Sequence, residues 1–292
     1  MSPTPIEASG TFTLAADSND PMTVRRLGFG AMRITGAGIW GDPPDRATAV
    51  AVLREAVSQG VDFIDTADSY GPGTSEDLIR EALHPYDGLL IATKGGLTRQ
   101  GPDLWAPVGR PEYLRQSLHM SLRRLGVERI DLWQLHRIDP LVPTAEQFGA
   151  IREFVDEGLV RHVGLSEVTV AELEEADGIL DIVSVQNLYN VGDRSSEALV
   201  DHCTPRGIGF IPWFPLGNRA LVSTDGPLAS VAAEAGCSPA QAALAWLLQH
   251  SPVMLPIPGT GSIDHLIENC EAGRVRLSAE QMATLDALPA TA

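Results

Sequence analysis

The sequence predicts an α/β fold, a single (β/α)8 (TIM) barrel preceded by a β-hairpin. Three observations predict it. Eight short β-rich runs recur along the chain, at 26–30, 61–65, 89–94, 130–135, 160–165, 182–186, 208–213 and 253–258. Several are almost continuously apolar, the pattern of parallel strands covered by helices, and helix-sized segments separate them. Eight such units over about 250 residues fit a closed barrel better than an open doubly wound sheet of five or six strands. No linker rich in Pro, Gly or Ser divides the 292 residues, so 11–292 is expected to be one domain.

Residues 1–10 carry prolines and small polar side chains and are expected to form a loose tail. The runs 11–14 and 22–26 flank a turn-rich segment ending in Asn19-Asp20-Pro21, which predicts the hairpin. Residue types also mark the helix ends. The amphipathic run 46–59 stops at Gly60, and the run 111–125 opens on Pro111 and stops at Gly126. Capping-box spacing, Ser or Thr with Glu or Gln three residues on, occurs at Thr144/Gln147, Thr169/Glu172, Ser238/Gln241 and Ser278/Gln281. Between 213 and 253 there is room for a long loop and two helices.

With 44% apolar and 20% charged residues the chain can bury a sizeable core. A net charge of −17, from 21 basic and 38 acidic side chains, repels phosphate backbones and anionic lipid heads. Nucleic acid and membrane surfaces are therefore not expected partners. Cys203, Cys237 and Cys270 are too few and too scattered for a disulfide framework, and no CxxC spacing offers a metal site. Residues 1–8 lack a signal peptide's basic start and apolar core, and no apolar run approaches the ~18 residues of a membrane span. The expectation is a soluble, cytoplasmic protein.

In such barrels the reactive groups lie where strands end. Asp65, Lys94, His136, Ser166, Gln186, Trp213 and Gly259 end or directly follow strands two to eight, and Tyr70 lies in the loop after the second. A phenol titrates at about 10, so a site using Tyr70 as an acid near neutral pH needs a cation beside it, and Lys94 is the candidate. Singly, each residue has a plain structural role: Asp65 could cap a turn, Lys94 could pair with it, and His136 could be a satisfied rim histidine. Together they point further, because a buried Lys/Asp pair beside a phenol is costly unless its electrostatics are used. Trp40 and Trp105, in rim loops, could wall an aromatic substrate pocket or simply cover the barrel end.

These residues also carry a resemblance. Asp62-Phe-Ile-Asp-Thr-Ala-Asp-Ser-Tyr-Gly71, Ala92-Thr-Lys-Gly95, Asp131-Leu-Trp-Gln-Leu-His136, Gly158-Leu-Val-Arg-His-Val-Gly-Leu-Ser166, Val185-Gln-Asn-Leu-Tyr-Asn190, Phe214-Pro-Leu-Gly217 and Ile257-Pro-Gly-Thr260 resemble, in order, the signatures of the aldo-keto reductases. Within that family the chain is most similar to bacterial pyridoxal reductases, through Leu27-Gly-Phe-Gly-Ala-Met32 and the segments 36–43 and 257–269. The resemblance places the family's catalytic tetrad on Asp65, Tyr70, Lys94 and His136. It implies reduction of a small-molecule carbonyl by hydride from NADPH, with NADH left open and no metal. Tyr70 would be the general acid, Lys94 the charge that lowers its pKa, Asp65 the group that fixes Lys94, and His136 a donor to the carbonyl.

The same resemblance implies a cofactor site from Gly30, Ala31 and Met32, through Asp65, Ser166, Gln186 and the stacking ring of Trp213, to Leu216 and Gly217 over the pyrophosphate. Gly259, Thr260, Gly261, Ser262, His265, Glu268 and Asn269 would reach the adenosine end, where a glycine-rich loop entering a helix suits phosphate. Trp40, Tyr70, Trp105 and His136 would line the substrate. Glu167 departs from the family's usual Asn, and Gly259 and His265 replace the Lys and Arg that many members set against a 2′-phosphate. Two other readings stay open: a cofactor-binding regulatory subunit with little turnover, and a Schiff-base lyase built on Lys94.

Overall fold

The computed structural model describes residues 4–218 and 220–290. The predicted hairpin forms from β1 (Thr11–Leu14) and β2 (Met22–Arg25), paired antiparallel with Leu14 opposite Met22. Leu14, Met22 and Val24 pack with Phe63, Leu90, Leu132 and Leu255, so the hairpin plugs the barrel at the end from which the strands start. The wall follows as β3 (Phe29–Gly30), β4 (Phe63–Asp65) and β5 (Leu90–Gly95). After a second, unforeseen hairpin of β6 (Leu97–Gly101) and β7 (Leu104–Pro107) it continues through β8 (Ile130–Leu135), β9 (Val160–Ser166), β10 (Ile182–Gln186) and β11 (Gly209–Phe210). Seven strands, β3 to β5 and β8 to β11, form one parallel sheet in chain order.

The eighth run, 253–258, differs from expectation. It forms no regular strand, because Pro256 and Pro258 have no N–H to give a ladder. It still closes the barrel: Leu255 N–H donates to the Phe210 carbonyl at 2.8 Å, and the Pro256 carbonyl accepts from Gly28 N–H at 2.9 Å. β3 and β11 are likewise shorter than the predicted 26–30 and 208–213. Where β3 meets the closing segment the backbones nearly touch. A Cβ on Gly30 would lie 2.6 Å from the Ile257 carbonyl oxygen, and one on Gly259 would lie 2.4 Å from the Gly30 carbonyl oxygen.

Helices Arg46–Ser58 and Pro111–Leu125 end at the predicted glycines, with Gly126 in the left-handed conformation that only glycine adopts without strain. Helices Ala229–Ala235 and Pro239–His250 fill the long connection before the closing segment. Capping boxes form at Thr169, Ser238 and Ser278. The fourth does not. Thr144 falls inside the helix Thr144–Asp156 rather than before it. Gln147 is instead buried, receiving Asp139 N–H and donating to the Asp139 and Val142 carbonyls, so the amide serves the preceding loop.

Of the expected loose tail, residues 1–3 lie outside the described residues, and residues 4–10 are ordered instead. Residues Pro5–Ala8 form a helical turn with a complete Thr4/Glu7 capping box, and Ile6 is wholly buried. Gly273 makes this possible, since a Cβ there would lie 2.0 Å from the Pro5 carbonyl oxygen.

The seam between β3 and the closing segment sets a test. Gly30→Ala forces one backbone off another, and overpacking of this kind costs about 1 to 3 kcal/mol. Urea unfolding should show a loss in that range, and an unchanged midpoint would mean that the seam has slack.

Candidate active site

The register of the sheet gathers the site at one rim. Lys94 lies opposite Gln134, and Gln186 opposite Ser166, while Asp65 ends β4 beside Ala92 of β5. Lys94 is fully buried, and so, within 1%, is Asp65. The ammonium donates to Asp65 Oδ1 at 2.5 Å and to the Thr66 carbonyl at 2.8 Å, and its third donor faces the Tyr70 hydroxyl at 3.4 Å. Asp65 Oδ2 accepts from the side-chain amides of Gln134 at 3.0 Å and Gln186 at 2.9 Å. A carboxylate buried this deeply persists because both oxygens are hydrogen-bonded.

Gln134 is one residue that sequence reasoning missed. The signal was available, since Leu132, Gln134 and His136 alternate along one face of a buried run where a lone amide is out of place. Gln186, one of the residues expected in the cofactor site, has its Nε2 taken by Asp65, which leaves its oxygen to accept.

Tyr70 lies in a loop strapped from both sides. Thr66 N–H and Asp68 N–H donate to the Ala92 and Lys94 carbonyls of β5, while Gly41 N–H reaches the Gly71 carbonyl at 2.7 Å. Gly71 sits at φ +100°, and a Cβ there would lie 2.4 Å from Thr74 Cβ, so no other residue makes this turn. His136 follows β8; its Nδ1 faces Ser69 Oγ at 3.3 Å, and its ring meets Tyr70 edge-on at 5.9 Å between centroids. Trp105, on β7, stands edge-on to both Tyr70 and His136, at 6.4 Å from each.

The electrostatics only partly match the sequence reading. Burial raises the Tyr70 phenol above 10; Lys94 opposes that rise, and Asp65 adds to it. Lys94 does act in the expected direction, but in the free protein burial outweighs it. Burial acts to lower the Lys94 ammonium, yet the Asp65 carboxylate and Tyr70 win and hold it above its ordinary value. His136 is pushed well below 6.5 by burial and by the charges of Lys94, Arg137 and Arg99, so its imidazole is neutral at physiological pH.

Beyond β9 the structure explains Glu167. Held at φ 54°, a strained value for a residue with a side chain, it turns its Oε1 to accept both Leu188 N–H at 2.7 Å and the Trp213 indole N–H at 2.5 Å. The carboxylate thus fixes the half-buried Trp213 ring at the rim. Ser166 Oγ accepts from Arg137 at 3.1 Å, which leaves its own O–H to donate. Asn190, also unforeseen, donates to the Phe214 carbonyl and so ties down the start of the loop that carries Leu216 and Gly217.

At the far side of the rim, Gly30 opens a 3-10 turn, Ala31–Ile34, that includes Met32. Gly259, Thr260 and Gly261 lead to Ser262, which caps helix Ile263–Glu271; Thr260 Oγ1 accepts the Ser262 N–H at 3.0 Å. His265 and Glu268 belong to this helix with the buried Asn269, and the Glu268 carbonyl is already held by Gln241. Gly30 and Gly259 adjoin across the closing seam, which brings this turn and this helix together.

The site thus joins a buried Asp/Lys pair, a phenol and a neutral imidazole at the rim of an α/β barrel. The chain belongs to the aldo/keto reductase family, whose pattern it matches over residues 26–290. It is 55% identical over 265 residues to the uncharacterized oxidoreductase C215.11c of Schizosaccharomyces pombe, covering 91% of this chain and 87% of that one. It is 43% identical over 288 residues to pyridoxine 4-dehydrogenase of Escherichia coli, covering 96% and 99%. Among solved structures, a thermostable aldo-keto reductase bound to the inhibitor epalrestat superposes with a TM-score of 0.82 at 33% identity, covering 94% of this chain and 97% of that one. An aldo-keto reductase of Klebsiella pneumoniae in complex with NADPH superposes with a TM-score of 0.77 at 26% identity, covering 90% of each.

Asp68, in the loop that carries Tyr70, sets a pH-dependent test. Its Oδ2 accepts from Ser117 Oγ at 2.5 Å, and its Oδ1 has no hydrogen-bond partner among the described residues. Burial raises its carboxyl from 3.8 to about 7, against the Ser117 hydrogen bond. The folded chain therefore holds a proton that the unfolded chain has released, and the stability this proton confers is full below about pH 4 and is lost as pH rises to about 7. Asp68→Asn removes the ionisation. From pH 5 to pH 8 the variant should gain about 2 to 3 kcal/mol on the wild type in urea unfolding, and a constant difference would contradict the assignment.

Proposed function

We propose that this chain reduces an aldehyde to its alcohol with NADPH, that Tyr70 delivers the proton, and that pyridoxal, reduced to pyridoxine, is a substrate. The observation that carries the reading is Lys94 Nζ, buried between Asp65 Oδ1 and the Tyr70 hydroxyl at 2.5 and 3.4 Å. The 43% identity to a pyridoxine 4-dehydrogenase supports the choice of aldehyde.

The residues present suit the cofactor. Ser166 keeps a free O–H, and Glu167 holds the Trp213 ring at the rim. Ser166, Gln186 and Trp213 would hold the nicotinamide, Leu216 and Gly217 the pyrophosphate, and the 259–262 loop with His265 the adenosine end. When bound, the reduced nicotinamide supplies the hydride.

The chain's own residues manage the proton. As negative charge develops on the carbonyl oxygen, Tyr70 gives up its proton there, and the phenolate left behind faces the Lys94 ammonium. Lys94 cannot swing away, because Asp65 and the Thr66 carbonyl hold its other two donors. Asp65 is in turn fixed by Gln134 and Gln186. His136 would donate from Nε2 to the same carbonyl oxygen as a neutral imidazole, in the tautomer whose Nδ1 accepts from Ser69 Oγ, 3.3 Å away. Neutrality keeps the imidazole from repelling Lys94.

The test is NADPH oxidation with pyridoxal and chromatographic identification of pyridoxine. Tyr70→Phe should lower the turnover rate by about 10² to 10⁴-fold with the NADPH dissociation constant unchanged. A variant that reduces aldehydes at the wild-type rate would remove Tyr70 as the acid. Turnover of simple aldehydes but not of pyridoxal would leave the chemistry standing and reject the substrate.

A further inference from the structure

Outside the tetrad, one side chain joins three separate pieces of the rim. Arg99, on β6, lays its guanidinium 3.6 Å from the ring centre of Trp105 and 5.7 Å from that of Trp40. Nη1 donates to the Ile39 and Ser69 carbonyls at 2.8 and 2.9 Å. Nη2 donates to the Gly38 and Gly101 carbonyls at 2.8 and 3.3 Å, and Nε to the Leu104 carbonyl at 3.0 Å. A guanidinium has five N–H donors, and here each has a backbone acceptor. A surface arginine that merely shields a ring does not exhaust its donors in this way.

The acceptors show what is being joined. Gly38 and Ile39 belong to the loop that ends in Trp40, Gly101 and Leu104 to the hairpin that carries Trp105, and Ser69 to the catalytic loop. Ser69 is also the partner of His136, and Tyr70 follows it. Trp40 and Trp105 are both about a third exposed, at 37% and 36%, so neither is held by burial alone. Their position relative to Tyr70 and His136 depends on the guanidinium between them. Lysine cannot substitute, because a point charge with three donors has neither the plane to stack nor the fork to reach both loops.

We propose that Arg99 is a positioning residue that builds the Trp40 and Trp105 walls of the substrate pocket, and that these walls select flat aromatic aldehydes over small aliphatic ones. The inference rests on the aldehyde-reductase reading above. It is tested with Arg99→Lys and Arg99→Met, assayed against benzaldehyde and propanal at saturating NADPH, with NADPH affinity measured separately by fluorescence titration.

In both variants the kcat/KM ratio of benzaldehyde to propanal should fall by roughly tenfold, with the loss mainly in KM for benzaldehyde and the NADPH dissociation constant unchanged. An equal loss on both aldehydes, no loss on either, or failure of both variants to fold would make Arg99 a structural tie only and overturn the proposal. The two readings fail differently. A wild-type protein that turns over neither aldehyde rejects the reductase reading and this inference with it, whereas a wild type active on both with an unmoved ratio in the variants rejects Arg99 alone.

Discussion

The buried pair of Asp65 and Lys94 is the interaction on which the rest of the site depends. Both charges are out of contact with water, a placement in which desolvation can exceed the Coulomb attraction unless every remaining donor and acceptor is used. Here nearly all are used. One carboxylate oxygen takes the ammonium and the other takes two glutamine amides, while the ammonium divides its donors among Asp65, a backbone carbonyl and a phenol. Three strands, β5, β8 and β10, each contribute a side chain to the one carboxylate at the end of β4, so the charge is satisfied only when these strands are assembled side by side. Removing one partner of such a pair costs about 3 to 5 kcal/mol, which makes the pair structurally dear as well as chemically useful.

That pair also sets the state of its neighbours. Burial alone would leave Tyr70 a very weak acid, and Lys94 is the counterweight already in place when charge appears on the phenol oxygen. The same positive charge helps keep His136 neutral, as the proposed role of hydrogen-bond donor beside Tyr70 requires. One buried cation thus favours the charged form of one neighbour and the neutral form of the other. The loop geometry around Gly71 then decides which atoms face it.

Much of this was legible in the sequence, for identifiable reasons. Several parallel strands are almost continuously apolar runs, and Asp65, Lys94 and His136 stand out because they are polar where those runs end. What was illegible depends on contacts distant in the chain. Glu167 and Trp213 are 46 positions apart, and only the structure shows that the departure at 167 holds the ring at 213. Arg99 looks like any surface arginine until three loops converge on it. The turn at Pro5–Ala8 is too short for local propensity and exists because Gly273 makes room for it. Thr144 and Gln147 had the right spacing for a cap, but the buried loop at Asp139 claimed the glutamine.

The most direct measurement of the central claim is single-turnover oxidation of bound NADPH by an aldehyde in Lys94→Met, which keeps the length of the side chain and removes its charge. If the ammonium supports proton delivery by Tyr70, the variant should still bind NADPH while turnover falls by about 10² to 10⁴-fold. Turnover near the wild-type rate in a variant that binds cofactor normally would contradict the account, and the Asp65–Lys94 pair would be a structural bond alone.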